Sequence, residues 1–112
     1  MADRQDGALL VQLAQWGSMM GIEEAQQALW ADGFDPETAS VEDVLISRIL
    51  VWGETIATLT KNGLLDTDLV LDWLWVFGVW SRVGPAAVKS REKHGVPELY
   101  ANFEALANKQ GG

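Results

Sequence analysis

Residues 40–63 read SVEDVLISRILVWGETIATLTKNG, and their spacing decides the fold. Leu45, Ile49, Trp52, Ile56 and Leu59 step by four, three, four and three, which places all five on one stripe of an α-helix. Ser40 stands where an N-cap is expected, with Asp43 three residues on as an imperfect capping box. Asn62 and Gly63 end the pattern.

The same helical spacing extends in both directions. Upstream, Leu9, Leu13, Trp16 and Met20 predict a helix from about Ala8 to Met20. Gly17 and Gly21 weaken it, because each costs about 1 kcal/mol against alanine inside a helix. A break there, with a second helix over 22–31, is the expectation, and one kinked helix is the alternative. Gly33 and Pro36 then mark a loop. Downstream, Asp66 or Thr67 caps a helix running to about Arg82. Gly84 and Pro85 are expected to stop it and start another, which ends near His94 and Gly95. Pro97 is expected to open a last helix carrying Leu99, Phe103 and Leu106 to about Asn108. No stretch alternates as a strand does. The expectation is all-α: one domain over 1–112, a compact bundle of about five to six helices, with 1–7 and 109–112 frayed.

The segment from Leu69 to Trp80 is apolar around its whole circumference, Asp72 being its one charge. A helix of that kind must be surrounded. As one continuous helix it would set Trp73, Phe77 and Trp80 on one side and Leu71, Trp75 and Val79 on nearly the opposite side. If one side meets the chain's own core, the other calls for a partner, because large exposed apolar patches mark interaction surfaces and aromatics are favoured anchors there. These six residues are the candidate interface, and a homodimer is the expected assembly.

Composition bounds the chemistry. Eight basic and 16 acidic residues give a net charge of −8, the wrong sign for a nucleic-acid footprint. The balance is uneven: residues 1–81 carry −10 and residues 82–112 carry +2, which suits complementary surfaces. No cysteine is present, so disulfides and thiolate chemistry are excluded, and a cytoplasmic location is expected. The longest charge-free stretches, 7–22 and 73–81, are too short or too polar to span a bilayer.

No catalytic constellation assembles. His94 sits where a cation suits a helix C-terminus. Residue 91 is arginine, so the Glu-x-x-His pairing of di-iron bundles is missing. Asp32, Asp35 and Glu37, like Asp66 and Asp68, lack the spacing of a calcium loop and read as caps and solvated turns. No cofactor is expected. Lys89, Arg91 and Lys93 read as a solvated face rather than a phosphate site. Glu54, on the edge of the central stripe, is the acid expected to act structurally, through an interhelical ion pair with Arg82 or Arg91.

Three stretches carry a family likeness: residues 52–56 (WGETI) running into 61–66 (KNGLLD), the aromatic segment 69–80, and residues 98–107 (ELYANFEALA). Over about residues 40–107 the chain resembles an uncharacterised family of small helical bacterial proteins, known only as a domain of unknown function. The resemblance implies a helical fold and brings no activity, cofactor or site residue. Some relatives of that kind have a membrane segment ahead of the helical region, and this sequence shows none.

The leading functional expectation is therefore a non-enzymatic helical interaction module, self-associated and open to a protein partner. A small-molecule binder with a pocket walled by Trp73, Phe77, Trp80 and Trp52 is a second expectation. An acidic inhibitor that occupies a basic partner is a third.

Overall fold

The computed structural model describes residues 2–111. Six helices follow one another: α1 Arg4–Met20, α2 Ile22–Ala28, α3 Val44–Lys61, α4 Thr67–Trp73, α5 Val76–His94 and α6 Ala101–Gly111. No strand occurs among the described residues. The expected all-α bundle is what forms.

Helix α3 is the spine. Its stripe buries Ile49, Trp52 and Ile56, with Ile46, Leu50 and Ala57 beside them. Leu45 and Leu59 are half-buried at its ends. Helices α6, α2 and α5 pack most extensively on it, and α1 and α4 touch it over smaller areas. The single core cluster draws on all six helices, including Leu13, Ala25, Ile49, Val70, Val83 and Phe103.

Several boundaries differ from those the pattern predicts, each for a physical reason. Helix α1 begins at Arg4, because Asp3 and Asp6 form a reciprocal capping box: the Asp6 N–H donates to Asp3 Oδ1 at 3.0 Å, and the Asp3 N–H to Asp6 Oδ2 at 2.9 Å. The Asp6 carboxylate also accepts from the Asp66 N–H at 2.8 Å, tying the head of α1 to the head of α4. These backbone donors, Asp3 first and Asp66 second, hold its carboxyl below the usual range. Helix α1 runs straight through Gly17, and the break into α2 falls at Gly21, which adopts φ 72°. The cap of α3 is Asp43, whose Oδ1 accepts from the Leu45 N–H at 2.8 Å, while Ser40 closes the turn before it.

Pro85 does not stop a helix. It lies inside α5, although an interior proline costs about 3 kcal/mol. Val83, Ala86, Ala87 and Ser90 are buried on both sides of it, so packing holds the two halves in line. Helix α6 starts at Ala101 rather than Pro97, because residues 97–100 turn and Tyr100 takes the left-handed φ of 61°. Its C-terminal end includes residues 109–111, just as α1 includes 4–7, in place of the frayed ends the sequence suggested. Met1 and Gly112, the outermost of those ends, lie outside the described residues.

Candidate functional site

The apolar segment 69–80 is two helices, not one. Leu74 is extended (φ −120°, ψ 141°) and separates α4 from α5, with Trp75 at the head of α5. The break resolves the conflict of a helix apolar on every side: it turns Val70 of α4 and Val76 of α5 both into the core. It also exposes backbone groups at two helix ends. Gln110 of α6 meets them. Its Nε2 donates to Leu71 O at 3.0 Å and to Leu74 O at 2.8 Å, and its Oε1 accepts from the Phe77 N–H at 2.8 Å. One amide thus closes the end of α4 and caps the start of α5.

Gln110→Ala is expected to cost about 2 kcal/mol, since the helix ends lose a donor and an acceptor together. Gln110→Glu should cost at least as much, because a carboxylate would then face the two carbonyls. Urea denaturation followed by far-ultraviolet circular dichroism measures both.

The broken segment sets the six candidate interface residues differently from a continuous helix. Trp73 meets Trp52 edge-on, centroids 5.7 Å apart at 81°. Trp75 lies flat on Trp30 of the α2–α3 connection, at 5.8 Å and 17°. Val79 joins Trp73 and Trp75 in lining one cavity of about 200 Å³. Trp80 turns the other way, packing on Phe103 at 5.1 Å beneath the Arg91 guanidinium. Phe77 rests against Gly111, and Leu71 packs half-buried on the core. Trp73, Trp75 and Val79 therefore converge, while Leu71, Phe77 and Trp80 do not share their cavity.

Leu74 and Val76 of the same segment also line that cavity, as do Trp30 and Gln26, of which the helical spacing of 69–80 gives no hint. The one available signal was a tryptophan beside a loop, at Trp30 just before Asp32 and Gly33. At its rim Trp75 is 62% exposed and Trp30 43% exposed, with Arg82 lying 5.6 Å from the Trp30 centroid.

The expected ion pair of Glu54 with Arg82 or Arg91 does not form. Glu54 Oε1 instead accepts from the Phe103 N–H at 2.9 Å, so this α3 carboxylate caps α6, whose own head offers Tyr100 where Ser, Thr, Asp or Asn would normally stand. Burial, and then the Glu54 charge, push the Tyr100 hydroxyl above its ordinary pKa. Arg91 pairs with Glu104 at 2.9 Å and donates from Nε to Leu99 O at 2.7 Å, fixing the turn that precedes α6. Arg82 goes to Trp30.

Five glycines receive aromatic rings at close range: Gly17 beneath Trp52, Gly53 beneath Phe103, Gly78 beneath Trp75, Gly84 beneath Trp80 and Gly111 beneath Phe77. Close approach is what these positions provide. Trp52 uses its seat to donate from Nε1 to Leu13 O at 3.0 Å.

Among the described residues no group of His, Asp and Glu is arranged to hold a metal ion, and no helix is long and apolar enough to cross a membrane. His94 ends α5, and Asp35 accepts from the Glu37 N–H within its own turn. Neither a curated protein nor a solved structure matches the chain. A family model described as DUF4760, a domain of unknown function, matches residues 4–110. That match takes in all six helices but for the last residue of α6, and the chain belongs to this family.

Proposed function

We propose that the protein is a non-enzymatic interaction module of the cytoplasm that pairs with a second copy of itself through the aromatic step between α4 and α5. The observation that carries the reading is Trp75, 62% exposed, on a surface it shares with the 43% exposed Trp30. A tryptophan left this exposed at a helix start is costly in water and suits an interface anchor. Phe77, two residues on in α5, is also 40% exposed.

The total surface supports the same reading. It measures 6652 Å², against about 6,100 Å² for a compact monomer of this mass. A two-fold interface would pair the outward faces of the two Trp75–Trp30 rims, and Arg82 at the rim offers a cation to an otherwise acidic surface.

Sedimentation equilibrium tests the proposal. The expected mass at tens of micromolar is twice 12.3 kDa. Trp75→Ser should weaken association by about tenfold to a hundredfold, as loss of a central anchor does. A wild-type chain that stays at 12.3 kDa at high micromolar concentration removes the reading.

A further inference from the structure

We infer that the cavity at the α4–α5 step is a binding site for a compact, uncharged aromatic molecule of about two fused rings. The inference uses the concave side of the step, whereas self-association uses the outward faces of its rim.

Four of the six tryptophans converge on this cavity: Trp30, Trp52, Trp73 and Trp75. Two of them have roles that a core accounts for. Trp52 is 5% exposed and wedged against α1, and Trp73 packs edge-on to it. Trp30 and Trp75 are different. They stack on one another at a site open to solvent, and Gly78 leaves the space that lets the Trp75 ring fold back over α5. The result is a mouth of one stacked pair and a floor of one perpendicular pair, two orientations of flat, rigid surface around the same volume. Flat rings bind to such walls by offset stacking and edge contacts.

Size and polarity narrow the class. The volume is about 200 Å³. An apolar cavity of about 150 Å³ accepts benzene, so this one suits a second ring. Among the described residues no charged side chain lines it, and Gln26 is the single amide. An anion would find no cation in the lining. A cation would find no carboxylate there, and it would meet Arg82 already placed over Trp30 at the mouth. An uncharged ring with one hydrogen-bonding atom for Gln26 fits both facts.

Isothermal titration calorimetry with indole as the probe tests this, alongside tetramethylammonium chloride as the cationic arm. Indole should give saturable heat with one site per chain and a Kd on the order of 0.1 mM, a normal yield for nine heavy atoms. Val79→Phe, which puts a ring into the cavity from α5, should weaken indole at least tenfold with an unchanged or raised Tm. Gly78→Ala, whose methyl would overlap the Trp75 ring, should weaken it several-fold without a proline- or cavity-type loss of stability. It serves as the test if Val79→Phe does not fold.

Absence of saturable indole heat in the wild-type protein overturns the inference. So does wild-type affinity in a folded Val79→Phe or Gly78→Ala variant, and so does tighter binding of tetramethylammonium than of indole. Heat per chain reads the cavity and sedimentation reads the pairing, so either proposal can fail while the other stands.

Discussion

Trp52→Ala is expected to lose about 4 kcal/mol of stability. Three contacts go at once. The indole is 5% exposed, so its removal leaves a void at the centre of α3. Its Nε1 no longer donates to Leu13 O, and Trp73 loses the ring against which its edge packs. Gly17, shaped by the absence of a side chain to receive that ring, then faces nothing. Urea denaturation monitored by circular dichroism is the measurement. Trp52→Phe should recover roughly half, restoring most of the volume without the N–H donor. A loss under about 1 kcal/mol for Trp52→Ala would show that α1 is not held to α3 by this wedge.

Gly53→Ala is expected to cost about 3 kcal/mol by the opposite mechanism. A methyl at this position would lie inside the contact distance of the Phe103 ring, which is 3% exposed and packed against Trp80. Helix α6 would have to lift from α3, stretching the bond from the Phe103 N–H to Glu54. A double change separates crowding from helix propensity, which alone favours alanine. Phe103→Leu should be less harmful in the Gly53→Ala background than in the wild type, a coupling of about 1 kcal/mol. Strict additivity would show that the glycine matters for some reason other than the ring.

Trp52, Gly53 and Glu54 are consecutive, and they explain how much of the fold was legible beforehand. The stripe on α3 was readable because Ile49, Trp52 and Ile56 recur at helical spacing and all three are buried. What Gly53 and Glu54 do was not readable, since their partners lie about fifty residues away in sequence and no local rule reaches that far. The break at Leu74 was hidden for a related reason. Periodicity runs unbroken through an all-apolar segment, and the side chain that makes the break tolerable, Gln110, sits in a stretch that read as a loose tail. Pro85 misled in the other direction, because its cost is local and the buried face that outweighs it is not. The continuous helix assumed for the candidate interface residues does not form. Once α4 and α5 are separate helices, the phase of Trp73 no longer dictates that of Phe77 and Trp80.

The borrowed cap on α6 has a bearing on how the chain reaches its final state. The head of this helix relies on a carboxylate 49 positions earlier, and its turn on an arginine of α5. Cut free of those two neighbours, eleven residues with an uncapped start and a left-handed tyrosine before them would hold little helical structure of their own. Its winding is thus tied to its docking, which makes the last helix a reporter of whether the rest has already assembled.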